Sequence, residues 1–406
     1  TCLSVMIMMS VWRRWRLLGK VPPEPTPLPF IGNFLELETG KFYDSLSKIR
    51  ERYGPVFTIH LGPRPAAVLW GYDAAKEALI DQAEEFSDRG EQAFFAWFFK
   101  GFLYRAKQLR RFSIATLKDF SFGKRGIEER LIEETSFLIQ AFRDTNGEIP
   151  IFYMSRTVSN VISSIVFGDR FEYDDKEFLS LWGLITRSFQ FLSTATGQLF
   201  EMFYSVMKHL PGCQHQAYKD FQGLEDFVAR KVEQNQSTLD PSPQEVLPVA
   251  MGTETVSPTM RYGFLLLMKN PDIAAKIHEE IDQVIRRNQP PKYEDHLKMP
   301  YTEAVIYEIQ RFVDVIPFGL PRSTIKNIKF RDFLIPKGTD VLPVLSSHFL
   351  GDKGQFKKSN AFVPFSIGKR YCFGESLNFC FKSPQAPQTY CPHNTSALAQ
   401  SLENSP

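Results

Sequence analysis

One cysteine stands in a ten-residue stretch whose other residues could help to hold a cofactor. Residues 365–374 have the sequence Phe-Ser-Ile-Gly-Lys-Arg-Tyr-Cys-Phe-Gly. A cysteine thiolate pushes electron density onto a haem iron, which favours cleavage of an O–O bond. Gly368 and Gly374 permit a tight turn and a close approach to a flat macrocycle. Cys372 is therefore predicted to ligate haem iron; the plainer alternative is a buried cysteine in a glycine-containing turn.

Two neighbours of Cys372 suit the same cofactor. Phe365 is expected to shield the sulfur from water. Arg370 carries a fixed positive charge on a planar guanidinium, which matches the geometry of a carboxylate. We therefore expect Arg370 to bind a haem propionate.

An adjacent acid and alcohol form a second candidate, in Met-Gly-Thr-Glu-Thr at residues 251–255. Activation of dioxygen requires protons, and an acid beside a hydroxyl can relay them. We predict that Glu254 and Thr255 deliver protons from one helix, and that Gly252 leaves room for dioxygen. Pro258 is expected to remove one helical hydrogen bond and to kink the axis. An ordinary polar helix turn is the alternative.

The cysteine segment resembles the signature of the cytochrome P-450 superfamily, since its Phe, Gly, Arg, Cys and Gly fall at that family's spacing. The chain looks closest to the microsomal family 2, subfamily A. The resemblance covers residues 1–382 and is clearest in four segments: 82–92, 94–97, 156–171 and 356–375. It implies a cytochrome P-450 fold, mainly α with small β-sheets.

Further site residues follow from the resemblance, and for one pair also from the residue spacing. It implies that Arg110 and Arg322 bind haem propionates, although Ala106 replaces the tryptophan that the family often places before Arg110. It implies that Glu308 and Arg311, three residues apart on a helix, form a structural pair. It also implies a substrate pocket lined by the apolar residues Phe95, Ile316, Phe318 and Leu320.

The elements that must position these residues are mostly helical. Two short apolar runs around Gly-Pro-Arg-Pro at 62–65 predict a hairpin, and Asp73 is expected to cap a helix over 74–81. Helical periodicity dominates residues 105–292, with one helix starting at Asn270 and Pro271. Another helix is predicted over 301–312, and strands over 325–343. We predict one large domain.

Composition excludes several classes of protein. The 48 basic and 46 acidic residues nearly cancel, and no nucleic-acid-binding motif occurs. Five cysteines form no spacing framework, which favours reduced thiols over a secreted disulfide scaffold. The 37 phenylalanines suit a protein that encloses an apolar cofactor or substrate. These features favour the reducing cytosolic side of the cell over secretion, and they give no sign of nucleic-acid binding.

The N-terminal region predicts attachment to a membrane. Residues 2–12 are apolar and precede a basic, Trp-containing flank, as at the cytosolic end of an anchor. We expect residues 1–19 to be the remainder of an anchor, and the Pro-rich residues 20–33 to form a stiff hinge. The monooxygenase domain is predicted over 34–382, and residues 383–406 resemble nothing in the family. The endoplasmic reticulum membrane, cytosolic face, is the expected location.

Several segments of the family are shortened here. The loop at 101–105 and the meander at 346–348 are cut, and residues 240–251 stand where the family has additional helix. Pro241, Pro243 and Pro248 make helix unfavourable in that stretch. The long helix expected after residue 377 is missing. Loss of a buried helix removes side chains that each contribute about 1.5–3 kcal/mol on burial, so poor folding is a further hypothesis.

The predicted function is a haem-thiolate monooxygenase that inserts one oxygen atom of O2 into small apolar or aromatic, xenobiotic or lipid-like substrates. The resemblance implies haem b as cofactor, and electrons from NADPH through a flavoprotein reductase. The first alternative is a catalytically defective haem-binding or unfolded family remnant. The second is a haem-thiolate isomerase that needs no reductase, against which the retained Glu254 and Thr255 argue mildly.

Overall fold

The structure, a computed structural model, describes residues 20–38, 41–90, 92–98, 125–144, 151–167, 170–234, 246–285, 289–316, 318–345 and 363–372. The chain divides into two compact units. The sheet unit comprises Thr1–Lys100, Ser193–Gln214 and Ile316–Cys372. The helical unit comprises Gly101–Leu192, His215–Val315 and Phe373–Pro406. The predicted domain boundaries stay a prediction.

Helices account for most of the described residues. In chain order they are α1 (Phe42–Tyr53), α2 (Tyr72–Lys76), α3 (Ala93–Phe98), α4 (Arg125–Asp144), α5 (Ile151–Phe167), α6 (Lys176–Ser193), α7 (Ala195–Met207), α8 (Cys213–Gln234), α9 (Val246–Lys269), α10 (Pro271–Val284) and α11 (Pro300–Val313). Shorter turns cover Phe34–Glu36, Glu77–Asp81, Tyr293–Lys298 and Gly368–Arg370. The helices predicted at residues 270–271 and over 301–312 are therefore confirmed, as α10 and α11.

The strands lie in the sheet unit. They are β1 (Val56–Leu61), β2 (Arg64–Trp70), β3 (Asp88–Arg89), β4 (Arg322–Ser323), β5 (Ile328–Phe330), β6 (Phe333–Ile335) and β7 (Asp340–Val344). Five of them form one sheet in the order β1-β2-β7-β4-β3, and β5 pairs with β6. Strands β1 and β2 are antiparallel with Val56 opposite Leu69, which confirms the predicted hairpin. Only the β2–β7 pair is parallel in this sheet of described strands.

Each unit has its own apolar core. In the sheet unit, Val56, Leu69 and Val341 lie in one cluster with α2 and the β5–β6 pair, and the opposite-facing Phe57, Val68 and Leu342 pack with α1. This alternation is that of a sheet covered on both faces. In the helical unit, α5, α6, α8 and α9 share a cluster of buried side chains: Val158, Ile162, Phe178, Leu181, Ile185, Leu224, Phe227, Val228 and Val256.

Two local expectations were wrong. Helix α9 begins at Val246 and contains Pro248, although proline was expected to prevent helix there. Pro248 is tolerated because it falls in the first turn, where backbone N–H groups have no helical acceptor. Asp73 does not cap a helix: α2 begins at Tyr72, and Gly71 precedes it without a side-chain cap. The expected changes at 101–105, 346–348 and beyond residue 377 lie outside the described residues.

Candidate functional site

The cysteine segment is a closed loop in the sheet unit. The Cys372 amide donates to the Phe365 carbonyl over 2.8 Å, and the Ser366 amide donates to the Val363 carbonyl over 2.9 Å. A short turn at Gly368–Arg370 brings the chain back, with the Tyr371 amide bonded to the Gly368 carbonyl. The Cys372 thiol is exposed at the end of this loop. The backbone therefore fixes the cysteine through bonds that need no particular side chain.

One glycine sets how closely the loop packs. Gly368 has a φ of +75°, a region that favours glycine. A Cβ built there would stand 1.9 Å from the Leu79 carbonyl oxygen. The neighbouring Ile367 packs against the core cluster that contains Leu79. Gly368 is thus required for contact between the loop and the Glu77–Asp81 turn; its approach to a macrocycle stays a prediction.

Two buried arginines hold the loop in place, Arg322 from β4 and Arg370 from within the loop itself. Arg322, 2% exposed at β4, donates from Nη2 to the Ser366 hydroxyl over 3.0 Å. Arg370, 9% exposed, donates from Nε to the Ser87 carbonyl over 2.9 Å, just before β3. The structure therefore places Arg322, Phe365, Arg370 and Cys372 in one region. Both guanidiniums also stabilise the loop.

This region fits a haem in its donor chemistry. The exposed Cys372 thiol offers a soft ligand for iron, and the guanidiniums of Arg322 and Arg370, which bind in and around the same loop, suit two carboxylates. Buried guanidiniums are well matched to carboxylates, so two propionates would suit Arg322 and Arg370. The remaining predicted haem residues, Arg110 and Gly374, lie outside the described residues.

The predicted acid and alcohol lie on α9 in the helical unit. The Thr255 hydroxyl donates to the Gly252 carbonyl at 3.4 Å, whereas the Glu254 carboxylate accepts from the Thr186 hydroxyl on α6 at 3.4 Å. Burial raises the pKa of Glu254, and the charge of Arg261 and the Thr186 hydroxyl oppose that rise only in part. Glu254 therefore holds a proton more readily than an exposed glutamate does.

Gly252 serves helix packing in the structure. A Cβ there would stand 2.7 Å from Cδ1 of Ile162 on α5. Beside it, the buried hydroxyls of Ser159 and Thr253 are bonded at 3.0 Å. The glycine thus permits close contact between α5 and α9; the room for dioxygen beside it stays a prediction. The helix continues through Pro258 to Lys269.

The predicted pocket residues have different surroundings within the sheet unit. Phe95 is 7% exposed on α3, next to Phe94 at a ring distance of 6.1 Å. Phe318 packs edge-on against Phe42 of α1, at 4.9 Å. Ile316 is 41% exposed and Leu320 is half-buried. Their common role in lining a pocket stays a prediction.

The Glu308–Arg311 pair is formed on α11. Arg311 Nε donates to Glu308 Oε2 over 2.9 Å, with a second bond from Nη2 to Oε1. Paired carboxylate and guanidinium groups of this kind have two-bond geometry that holds both side chains in place. The prediction from residue spacing is confirmed as a contact.

Sequence reasoning missed three partners of the site. Thr186 binds Glu254, Ser366 binds Arg322, and Ser87 binds Arg370. The helical periodicity that buries Ile185 also places Thr186 beside the core face, but no motif marks it. Ser87 contributes only its carbonyl, so its side chain carries no signal at all.

None of the helices among the described residues is long and apolar enough to span a bilayer.

Comparison with known proteins identifies the class of this chain. The family model for cytochrome P450 matches residues 22–251 and 246–378, and the chain belongs to the cytochrome P450 family. Cytochrome P450 2A8 of Mesocricetus auratus is 72% identical to it, covering 96% of this chain and 92% of that protein. Cytochrome P450 2A3 of Rattus norvegicus is 61% identical and covers 95% and 92%; 2A13 of Homo sapiens is 59% identical with the same coverage.

These relatives place the chain in family 2, subfamily A, as the resemblance had indicated. It is a haem-dependent monooxygenase, an oxidoreductase that uses O2, a substrate and an electron-transfer partner. The alignment with the hamster protein runs over 457 positions, at least 51 more than the 406 residues of this chain. Internal segments of that relative therefore have no counterpart here.

Proposed function

We propose that this chain is a microsomal haem-thiolate monooxygenase that inserts one oxygen atom of O2 into small apolar or aromatic substrates, xenobiotic or lipid-like. The observation that carries the proposal is the exposed Cys372 thiol on a loop closed by its own backbone and held by two buried arginines. We propose haem b as the cofactor, with Cys372 as its axial ligand. Haem supplies the activation of dioxygen when it is bound.

The residues of the chain divide the remaining tasks. Arg110, Arg322 and Arg370 would hold the propionates, and Phe365 and Gly374 would border the ligating sulfur. Glu254 would hold a proton at its carboxyl, because burial raises its pKa, and Thr255 would pass it on. Phe95, Ile316, Phe318 and Leu320 would bind and orient the apolar substrate and exclude water.

Electrons are proposed to come from NADPH through a flavoprotein reductase. The enzyme would act on the cytosolic face of the endoplasmic reticulum membrane. The apolar run and basic flank of residues 2–16, followed by the Pro-rich segment, support this placement. In the structure, the Thr58 amide donates to the Pro23 carbonyl over 2.9 Å, so the Pro-rich segment is fastened to β1.

The decisive experiment is the spectrum of the haem-supplemented full chain, reduced and exposed to carbon monoxide. A strongly red-shifted Soret band in the wild type, absent in Cys372→Ser, is expected for a thiolate ligand. Cys213→Ser is the matched control, since Cys213 is also an exposed cysteine. A band at the position typical of imidazole ligation, or no haem uptake, would contradict the proposal and support the defective remnant.

Turnover with purified reductase then tests the reaction. Product formation is expected to require both NADPH and reductase, with naphthalene as a small aromatic probe. Conversion of a peroxide-type substrate without reductase would instead identify the isomerase alternative.

A further inference from the structure

A carboxylate of one helix holds the backbone of another in the sheet unit. Glu201 on α7 accepts the Ala93 amide at Oε2 over 2.6 Å and the Phe94 amide at Oε1 over 2.9 Å. Ala93 and Phe94 are 2% and 0% exposed. Both oxygens of one half-buried side chain are thus used on two successive amides of α3, and charge-assisted bonds of this kind are stronger than neutral ones.

Aromatic packing joins the same two helices. The Phe200 ring lies 6.1 Å from the ring of Phe94 and 5.3 Å from that of Trp97. Phe200 is fully buried, and these edge and tilted geometries are favourable for aromatic pairs. Phe95 follows Phe94 directly on α3, so the placement of its side chain depends on this contact with α7.

The backbone of Glu201 is itself fixed. Arg64, at the start of β2, donates from Nη2 to the Glu201 carbonyl over 3.0 Å and lies 3.8 Å from the Asp340 carboxylate. Two residues further on, α7 is kinked at Phe203, whose φ and ψ are −122° and 34°. The carboxylate therefore projects from a helix segment anchored on one side by the sheet and ended on the other by a kink.

We propose that Glu201 is a positioning residue for substrate binding: its carboxylate fixes α3 so that Phe95 is presented to an apolar, aromatic substrate, and it makes α3 and α7 move together. The inference rests on the proposed function, in which Phe95 lines the substrate pocket. The aromatic contacts of Phe200 bring α3 and α7 together, and the carboxylate adds directional bonds to the backbone of α3. Two hydrogen bonds to successive amides fix its register.

The test compares Glu201→Ala and Glu201→Gln with Glu51→Gln, a matched control on exposed α1 surface of the same unit. Naphthalene binding is followed by the Soret shift of the haem-loaded chain, and amide exchange over residues 93–98 by mass spectrometry. We expect Glu201→Ala to weaken binding about tenfold, the effect of one net hydrogen bond to a charged group, and to accelerate exchange. Glu201→Gln keeps one acceptor oxygen, so its naphthalene affinity and amide exchange should lie between those of the wild type and Glu201→Ala. Its KM should be raised by a larger factor than its kcat is lowered.

Unchanged exchange and unchanged naphthalene affinity in both Glu201 variants would overturn the proposal. If Glu201→Ala does not fold, the milder Glu201→Gln decides alone. A wild type that takes up haem but does not respond to naphthalene contradicts the proposed substrate class, and the positioning role with it. A normal wild-type response that is insensitive to Glu201 contradicts the positioning role only.

Discussion

The cysteine loop and the acid–alcohol turn of α9 are held in place by different physical means. The loop is irregular backbone, in which Gly368 has a positive φ and fits against a carbonyl with no space for a side chain. The α9 turn is regular helix, in which the Thr255 hydroxyl donates to the Gly252 carbonyl three residues earlier. Its unusual property, the raised pKa of Glu254, comes from burial.

The difference indicates how each region tolerates change. A loop fixed by backbone geometry depends on a few positions absolutely, because one misplaced atom displaces the whole turn. A helix keeps its backbone when a side chain is replaced. A substitution in α9 therefore changes the chemical groups of the site and leaves the helical backbone unchanged. Substitutions in the two regions are therefore expected to have different effects.

The largest effect is expected from Gly368→Ala. Its Cβ would overlap the Leu79 carbonyl oxygen, and φ is positive, so the loop must move away from the Glu77–Asp81 turn. We expect loss of the red-shifted band of the reduced carbon monoxide complex. The control is Gly338→Ala, which has a φ of +78° but open space around it and should cost only about 1 kcal/mol. Equal effects of the two variants would show that the strain of a positive φ, and not the overlap with the Leu79 carbonyl, determines the loss.

Glu254→Gln should lower coupled turnover about 100-fold, the usual contribution of a positioned general acid, while the haem spectrum stays normal. In the wild type the proton-carrying form exists below the raised pKa of Glu254 and is lost as the pH rises through it, so turnover should fall there. The variant should lose that pH dependence. The amount of product formed per NADPH consumed, measured across a range of pH, reports both effects.

Glu279→Gln is the control, because Glu279 is exposed on α10. If turnover of Glu254→Gln still falls with rising pH as in the wild type, Glu254 is excluded as the acid.

Glu280→Ala tests a side-chain cap in the helical unit. Glu280 accepts the amides of Tyr301 and Thr302 and the Thr302 hydroxyl, at 2.9, 2.6 and 2.7 Å. Burial acts to raise the pKa of Glu280, but the bonds from Thr302 and Tyr301 outweigh it and lower the pKa. We expect the variant to lose about 2 kcal/mol in the free energy of unfolding.

The pH dependence of that loss is specific. A lowered folded-state pKa contributes stability above the unfolded value of about 4.3, and this stability is lost as the pH falls through the folded value. The difference between wild type and Glu280→Ala in urea unfolding should therefore shrink in acid. A constant difference from neutral pH to acid would contradict the cap.

The smallest effect is expected from Ser366→Ala. It removes the hydroxyl that Arg322 Nη2 binds at 3.0 Å, and leaves the backbone bonds of the loop in place. The free energy of unfolding should fall by about 1 kcal/mol, and the carbon monoxide band should keep its position. Thermal unfolding of the haem-loaded protein measures the loss of stability. A shifted band would show that the side-chain bond, as well as the backbone, sets the place of Cys372.

Much of the fold could be predicted from the sequence. The β1–β2 hairpin, α10 and α11 follow from turn residues, a proline at a helix start and apolar periodicity, all of which are local signals. The start of α9 could not be predicted, because the effect of Pro248 depends on whether it falls in the first turn or later.

The candidate site likewise has features that the residue types indicate and features that only the packing of elements determines. Residue types alone determined that Cys372, Arg370 and the Glu254–Thr255 pair could carry haem and proton chemistry, because thiolate, guanidinium and carboxyl have properties that no environment creates. Only the tertiary structure decided that Gly368 meets Leu79, that Gly252 packs on Ile162, and that Arg322 binds the loop. Thr186 and Glu201 acquire their partners across 68 and 108 positions of sequence. Such contacts arise from the packing of whole elements, which no local pattern of residues specifies.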